Sequence, residues 1–342
     1  MTALTEALAL ATNFTNADVI RAMSRAPVRY KEYRIRKRNG DWRPVSQPAR
    51  EVKLLQRALV TLLLSKLPVH DSATAYRTGV GIEENARRHS GTGPILKMDF
   101  KQFFPSITAK DWARYCRDNG CLADPVDIEL TSRLLFRRRP RTTVLRLAIG
   151  APSSPVLSNV LLYDFDVAVS EAVAKDKVTY TRYADDLTFS AARTGNLNGV
   201  EKAVRKVLKG LIYPRLTVNE DKTTYATRKY RRSVTGLVLA NQGQVTIGRS
   251  RKRLISAAVN RARNGLLDFD QLRSLCGTLA FVNAVEPDFL DRLRARYGVE
   301  TISAVQRALH KGKVQPHHTL LEWQSASWEA QSPGDEGPGE GR

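Results

Sequence analysis

The sequence predicts an α+β fold in which antiparallel hairpins precede a helical last third. Residues 178–183 and 186–190 alternate β-branched or aromatic residues with other residues, the pattern of half-buried strands. A second pair of short strand-like runs lies within residues 33–45, around a turn that contains an Asn-Gly pair. Residues 2–23 and the stretch that begins at residue 249 instead carry apolar residues at helical spacing. Together these patterns predict strands in the middle of the chain and a helical core near its end.

The segment Tyr183-Ala184-Asp185-Asp186 places two adjacent carboxylates at the tip of the first hairpin. A turn through Ala184-Asp185 lacks the glycine or asparagine that tight hairpins prefer. A local rule broken beside two carboxylates often marks a functional site. Because neighbouring side chains on an extended chain point to opposite faces, we expect only one of the two aspartates to face a given metal ion directly.

A second strand must supply a further carboxylate if this tip is a metal site. Two magnesium ions about 4 Å apart need ligands from more than one strand, because each ion takes octahedral oxygen ligands. Asp99 is the best candidate, since it ends the apolar run of residues 93–98 and precedes Phe103-Phe104-Pro105. Alone, Asp99 could be a turn residue or a solvated charge. Together with the hairpin pair it predicts a magnesium site for nucleotide chemistry.

These segments resemble the reverse transcriptase superfamily and, within it, the bacterial retron reverse transcriptases. Asp99 with residues 103–107 is similar to the first palm motif, and residues 183–186 to the second catalytic motif. Residues 149–159 resemble the Gln-Gly-x-x-x-Ser-Pro segment, with Ile149 in place of the glutamine. Two retron strings, Asn-Ala-x-x-His and Val-Thr-Gly, are matched at residues 85–89 and 234–236.

The resemblance implies a right-hand polymerase with fingers, a palm that contains an antiparallel sheet, and a helical thumb. We expect an N-terminal helix and fingers in residues 1–93, a palm in 94–238 and an RNA-binding thumb in 239–321. Residues 322–342 are acidic and rich in glycine and proline, so they are expected to form a mostly disordered tail.

The resemblance also implies a role for each matched residue. Asp99 and Asp185 would bind two Mg²⁺ ions, with Asp186 as a third metal-site carboxylate, and Lys222 would assist the leaving pyrophosphate. The residues expected to contact the incoming nucleotide are Arg36, Lys37, Arg43, Phe104, Ala151 and Tyr183. The residues expected to contact RNA or DNA are Asn85, His89, Val234, Thr235, Gly236, Arg249, Arg251, Lys252 and Arg253.

Each of these assignments has a plainer alternative. Phe104 could be a core aromatic rather than a steric gate against ribonucleotides, and the cations of the first hairpin could simply be solvated. Lys222 could pair with a neighbouring acidic residue on the surface. His89 has no Cys or Glu partner at metal-ligand spacing, and a lone histidine is usually a satisfied structural residue. We therefore favour a structural or RNA-positioning role for it over catalysis.

Composition independently predicts a polyanionic partner. The chain has 55 Lys and Arg residues against 34 Asp and Glu, a net charge of +21, which favours nucleic acid. Phosphate contact is the favoured role for the run Arg137 to Arg141 and for the run that starts at Arg249. Three cysteines without metal-ligand spacing, and no apolar run long enough to span a membrane, indicate a soluble cytoplasmic protein.

The retron resemblance implies synthesis of a branched RNA-DNA molecule from the protein's own structured noncoding RNA, primed by a guanosine 2′ hydroxyl. The implied partners are that RNA, its DNA product, deoxynucleotide triphosphates and a separate effector protein in antiphage defence. Two other possibilities remain open. One is an intron-type or abortive-infection reverse transcriptase, and the other is a noncatalytic RNA-binding protein with a polymerase fold.

Overall fold

A computed structural model describes residues 2–36 and 40–307. Lys37 and the predicted tail of residues 322–342 lie outside this part of the chain. The described helices are α1 (Ala3–Thr12), α2 (Asn16–Arg25), α3 (Arg50–Leu62), α4 (Ile82–Arg88), α5 (Phe103–Ser106), α6 (Ala109–Asn119), α7 (Pro125–Leu135), α8 (Ser154–Leu161), α9 (Tyr163–Ala174), α10 (Val200–Gly210), α11 (Arg249–Arg263), α12 (Phe269–Val285), α13 (Pro287–Tyr297) and α14 (Val299–Arg307). The described strands are β1 (Tyr30–Arg36), β2 (Trp42–Pro48), β3 (Ile95–Asp99), β4 (Arg137–Arg138), β5 (Leu145–Arg146), β6 (Thr179–Tyr183), β7 (Asp186–Ser190), β8 (Thr224–Ala226), β9 (Ser233–Val234), β10 (Leu237–Leu239) and β11 (Val245–Thr246).

The helical N-terminal segment predicted for residues 2–23 is present, but it is divided into α1 and α2. Asn13 ends α1 in the left-handed conformation, with φ of 56°, which asparagine tolerates better than most residues. The side chain of Thr15 then accepts a hydrogen bond from the backbone N–H of Asp18 and caps α2. Apolar spacing alone does not reveal this break, because both helices bury their apolar residues on the same core.

The hairpin predicted within residues 33–45 is confirmed as β1 and β2, which pair antiparallel with Arg36 opposite Trp42. Both strands extend beyond the predicted segment, to Tyr30 and Pro48. The carboxyl end of β2 is buried while most of β1 is exposed. The hairpin is therefore anchored to the rest of the molecule through β2.

The central sheet has four strands in the order β6-β7-β3-β8, and each neighbouring pair is antiparallel. The hairpin predicted around residues 183–186 is confirmed as β6 and β7, in which Tyr183 pairs with Asp186. Strand β3 lies beside β7, and Asp99 is directly opposite Asp186. This register brings the two predicted carboxylate segments to the same end of the sheet.

Two buried clusters of apolar side chains stabilise the fold. The larger joins the N-terminal helices to the central sheet and its covering helices, and includes Leu8, Trp112, Phe165 and Phe189. The second contains residues 234–305 of the last third, together with Ala86 of α4 and Ile95 of β3. The predicted helical core of the last third is thus confirmed, and α4 lies where the two clusters meet.

Helices and an antiparallel sheet within one chain confirm the predicted α+β class. In the described residues, no helix combines the length and the apolar character that crossing a bilayer requires.

Candidate active site

Three carboxylates meet at the end of the central sheet. Asp99 is the last residue of β3 and is 5% exposed, while Asp185 and Asp186 at the β6–β7 turn are partly exposed. The backbone N–H of Phe100 donates to the carbonyl of Asp185 at 3.2 Å, and the N–H of Asn219 donates to the carbonyl of Asp99 at 2.7 Å. The first bond joins the end of β3 to the hairpin turn, and the second joins it to the segment at Asn219, both independently of the side chains.

Burial and neighbouring negative charge raise the pKa values of Asp185 and Asp186. Burial, followed by the neighbouring charge of Asp99, raises the pKa of Asp185 above its usual range. Burial and the charge of Asp185 raise the pKa of Asp186 to about 7. Desolvation and like charge both disfavour an ionised carboxyl group, so a cation bound at this end of the sheet would favour the ionised forms.

Lys222 supplies one such positive charge. Its Nζ donates to Asp99 Oδ2 at 2.9 Å, and its side chain is 60% exposed. Lys222 lies in a short 3₁₀ turn, residues 220–222, that follows the segment hydrogen-bonded to Asp99. The predicted alternative, a surface pairing with a neighbouring acidic residue, is therefore replaced by a contact with the carboxylate cluster itself.

The donor chemistry of this cluster fits a hard divalent cation, since magnesium prefers carboxylate oxygen. In the described residues, no three acidic, histidine or cysteine side chains are already arranged as a cage for an ion. Both Lys222 and Asp186 contact the side chain of Asp99 instead. A bound cation would have to replace these contacts, and relief of the mutual repulsion among the carboxylates would favour that exchange.

A buried ion pair between Arg182 and Asp166 stabilises the hairpin turn. Ala184 adopts the left-handed conformation with φ of 58°, which costs energy for a residue other than glycine. Arg182 donates to the Ala184 carbonyl at 3.3 Å and to Asp166 Oδ2 of α9 at 2.6 Å. Arg182 also reaches the side chain of Asn159 in α8 at 3.0 Å. The side chains of Arg182 and Asp166 are both 0% exposed. The turn is therefore held by a hydrogen-bonding network that lies in the protein interior.

Sequence reasoning missed the Arg182–Asp166 pair, because nothing in the sequence marks a charge separated by 16 residues as its buried partner. It also missed Tyr76. This half-buried tyrosine has φ of 62°, and burial together with the nearby charge of Asp185 raises the pKa of its hydroxyl. Tyr76 therefore belongs to the surroundings of the carboxylates.

The two aromatic residues after Asp99 occupy different environments. Phe103 is 4% exposed and stacks on Phe100, with ring centroids 5.9 Å apart. Phe104 is only half-buried. This difference agrees with the expectation that Phe103 belongs to the core and leaves Phe104 partly accessible.

The remaining residues predicted to contact the nucleotide differ in their exposure and in their proximity to the carboxylates. The charge of Arg43 on β2 is close enough to lower the pKa of Asp185, although burial outweighs that effect. Arg36 is exposed at the end of β1, and Tyr183 is half-buried beside Asp186. Ala151 is only 3% exposed, so its side chain presents little surface to a ligand.

Gly150 is explained by a close approach of β2. It has φ of 112°, and a Cβ atom at this position would lie 2.8 Å from Val45 Cγ1. The backbone N–H of Ser46 donates to the carbonyl of Ile149 at 2.7 Å. This contact uses only the backbone of Ile149, so it does not depend on the side chain that replaces the glutamine.

Asn85 and His89 are fully buried, which differs from the predicted contact with RNA or DNA. His89 bridges the two strands of the carboxylate hairpin, with Nε2 2.7 Å from Thr181 Oγ1 and Nδ1 2.7 Å from Ser190 Oγ. Asn85 accepts a hydrogen bond from Thr74 at 3.0 Å. These two side chains therefore have structural contacts that attach α4 and its carboxyl end to the central sheet and to Thr74.

Val234 is the last residue of β9, and Thr235 and Gly236 form the turn that leads to β10. Val234 is fully buried, which again differs from a direct contact with nucleic acid. Thr235 and Gly236 have φ of 47° and 82°, a turn conformation that suits glycine. Thr235 Oγ1 donates to the carbonyl of Ile82 at 3.0 Å. The two short strings predicted from the sequence are thus in contact with each other through α4.

The basic start of α11 is partly committed to contacts within the protein. Lys252 pairs with Glu286, and the guanidinium of Arg251 lies 5.3 Å from the ring centroid of Phe281. Arg249 and Arg253 are exposed. The four predicted cations therefore offer two exposed side chains and two that also stabilise the helical core.

Comparison with known proteins identifies the family. Residues 35–244 match the family described as reverse transcriptase (RNA-dependent DNA polymerase). The retron Ec83 reverse transcriptase of Escherichia coli is 34% identical over 83% of this chain and 92% of its own length. The retron Ec73 reverse transcriptase of Escherichia coli is 30% identical over 80% of this chain and 88% of its own.

A third relative, the retron Mx162 reverse transcriptase of Myxococcus xanthus, is 31% identical over 75% of this chain, which spans 58% of that protein's length. The predicted right-hand polymerase fold is confirmed by the family match and by the mixed architecture with its antiparallel sheet. The chain therefore belongs to the reverse transcriptase family and, within it, to the bacterial retron reverse transcriptases.

Proposed function

We propose that this protein synthesises DNA on its own structured noncoding RNA, priming from the 2′ hydroxyl of a guanosine and leaving a branched RNA-DNA molecule. The single observation that carries the proposal is the meeting of Asp99, Asp185 and Asp186 at one end of the sheet, in a chain that belongs to the retron family. The RNA, its DNA product and deoxynucleotide triphosphates would be the ligands. A separate effector protein and a role in antiphage defence complete the proposal.

In this proposal Asp99 and Asp185 hold two Mg²⁺ ions, and Asp186 adds negative charge beside them. The ions, when bound, would polarise the attacking hydroxyl and stabilise charge on the α-phosphate. Backbone hydrogen bonds to the carbonyls of Asp99 and Asp185 keep the two strands in place for this task. Positioning and charge stabilisation would supply most of the rate acceleration.

Lys222 would exchange its contact with Asp99 for the leaving pyrophosphate. Its 60% exposed side chain and its position at the carboxylate cluster support that role. A positioned lysine neutralises or protonates a leaving group. Replacing Lys222 with alanine should slow nucleotide addition in single-turnover measurements and leave RNA affinity nearly unchanged. A variant that only binds RNA more weakly would contradict this role.

The nucleotide would lie between the carboxylates and the β1–β2 hairpin. Arg43 is the best supported of the predicted cations, because its charge acts on Asp185. Arg36, exposed at the end of β1, would extend the basic surface toward the triphosphate, and Lys37 stays a predicted nucleotide contact outside the described residues. Phe104 would limit the space beside the sugar, and Tyr183 and the backbone near Ala151 would complete the binding site.

For the nucleic acid, we propose a positioning role for Asn85 and His89 and contact through the exposed Gly236 turn and the α11 cations Arg249 and Arg253. The division into fingers, palm and thumb at residues 93 and 238 is likewise a proposal. It is supported by the separate apolar cluster of the last third.

The product of the reaction tests this function. The protein would be expressed with its flanking noncoding RNA, and nucleic acid would be extracted from the purified complex. We expect a short DNA joined to RNA by a 2′,5′ linkage, which a debranching enzyme cleaves. DNA primed only from a 3′ end would instead favour an intron-type enzyme, and the absence of DNA would favour a noncatalytic RNA-binding protein.

A further inference from the structure

A groove separate from the carboxylate site lies between residues 27–32 and the connection from β4 to β5. Its volume is about 810 Å³, and the side chains that line it include Val28, Tyr30, Arg138, Arg139 and Arg141. None of its lining residues is among those assigned to the metal or the nucleotide. The groove is therefore a surface that the proposed reaction does not use.

The groove is strongly and unevenly charged. Arg138, Arg139 and Arg141 are all exposed, and none has an ion-pair partner within residues 2–36 and 40–307. Glu32 also lines the groove, but it already pairs with the buried Arg137. Three guanidinium groups within four residues repel one another, and a bound anion would relieve that repulsion.

The connection from β4 to β5 contains a tight turn in which Arg141 adopts an unfavourable backbone conformation. The N–H of Thr142 donates to the carbonyl of Arg139 at 3.4 Å, which closes a four-residue turn with Pro140 second and Arg141 third. Arg141 has φ of 60°. A turn with proline second and a positive φ third strongly favours glycine or asparagine at the third position. Arginine at this position therefore carries a backbone cost, and its exposed side chain lies beside those of Arg138 and Arg139 in the groove lining.

We propose that this groove binds the phosphate backbone of a single strand of RNA. Guanidinium groups match phosphate oxygens with paired hydrogen bonds. Val28, which is 56% exposed, adds apolar surface for a base or sugar. A groove of this volume fits one or two nucleotides of a single strand. The proposal relies on the proposed function only in that RNA is the polyanion this protein handles.

The affinity for a fluorescent oligouridylate, measured by anisotropy over a series of salt concentrations, tests this site. Replacing Arg138, Arg139 and Arg141 together with glutamine should weaken binding about tenfold or more at low salt. The slope of log K against log salt should fall by about 2, because each lost phosphate contact on a single strand removes about 0.7.

The matched control changes Arg21, Arg114 and Arg205 to glutamine. It removes the same charge from arginines that are already paired with a carboxylate on their own helix. We expect a much smaller loss of affinity. An equal loss in the two triple variants would overturn the proposal, because net charge alone would then explain the effect.

The Arg141→Gly variant distinguishes the effect of the Arg141 side chain on binding from the effect of its backbone conformation on stability. Glycine relieves the strain of the positive φ, so the melting temperature should rise while oligouridylate affinity falls about threefold or more. Arg141→Lys should retain most of the affinity. A glycine variant that binds oligouridylate as tightly as the wild type would contradict the assignment. A triple variant that loses as much affinity for duplex RNA as for oligouridylate would also contradict it.

The active-site variant Asp185→Asn keeps this test independent of the proposed polymerase function. It should lose DNA synthesis and keep wild-type affinity for oligouridylate. The groove proposal is therefore tested by oligouridylate affinity, and the catalytic proposal is tested separately by DNA synthesis.

Discussion

The buried imidazole of His89 should make the stability of this protein fall below neutral pH. His89 is fully buried, and its two ring nitrogens each lie 2.7 Å from a hydroxyl of the carboxylate hairpin. A neutral imidazole satisfies both contacts, with one nitrogen donating and the other accepting. Burial, reinforced by the charge of Arg88, lowers the pKa of His89 from 6.5 to about 3.

The size of the effect follows from proton linkage. Because the folded-state pKa is depressed, the contribution of His89 is fully present above the unfolded pKa of about 6.5 and is lost as pH falls from there toward about 3. At about pH 5 only the unfolded state binds the proton appreciably. The free energy of unfolding should then be lower by roughly 2 kcal/mol than at about pH 7.5.

Urea unfolding of the wild type and of His89→Gln at these two pH values measures the effect. The raised pKa values of Asp185 and Asp186 contribute stability in the opposite direction as pH falls, but both proteins share them. The variant should be less stable at about pH 7.5, since a buried hydrogen-bonding pair is disturbed. The gap between the two proteins should shrink by roughly 2 kcal/mol at about pH 5. A gap that is the same at both pH values would refute the assignment of a buried, neutral His89.

Three further predictions concern the support of the site and its selectivity. Asp166→Asn should lower the free energy of unfolding by about 3–5 kcal/mol in urea titrations, because it leaves the guanidinium partner buried without a countercharge; a loss below about 1 kcal/mol would contradict a dry, buried pair. Gly150→Ala should cost about 1–3 kcal/mol by overpacking against β2, whereas the control Gly195→Ala, whose added Cβ would meet no atom within 4 Å, should unfold at nearly the wild-type midpoint. Phe104→Ala should raise ribonucleotide incorporation in primer extension. Phe103→Ala should mainly lower the free energy of unfolding, by about 3–5 kcal/mol. If the Phe104 variant excluded ribonucleotides as well as the wild type does, Phe104 would not be the steric gate.

The sequence predicted the meeting of the carboxylates because local patterns encode it. Strand alternation on either side of Tyr183-Ala184-Asp185-Asp186 requires a hairpin, and the resulting turn is confirmed by the register of β6 and β7. The apolar run before Asp99 made it the candidate for a carboxylate from a second strand, and the antiparallel pairing of β3 with β7 places Asp99 opposite Asp186. Short-range periodicity and a need for shared ligands were enough for this part of the site.

What the sequence did not predict depends on contacts between distant segments. His89 and Val234 were assigned to nucleic acid from short matching strings, but both are buried. Whether a polar side chain points outward or bridges two strands depends on packing that no local pattern specifies. The Arg182–Asp166 pair is hidden for the same reason, because charged residues are usually exposed.

The most direct test of the central claim is DNA synthesis on a primed RNA template by the purified protein with Mg²⁺. The comparison is between the wild type, Asp185→Asn and the exposed control Asp288→Asn. We predict that the wild type and the control extend the primer at similar rates, and that Asp185→Asn is slower by roughly a hundredfold or more while it binds RNA normally. Extension by Asp185→Asn at the wild-type rate would contradict the assignment of the carboxylate cluster as the catalytic centre.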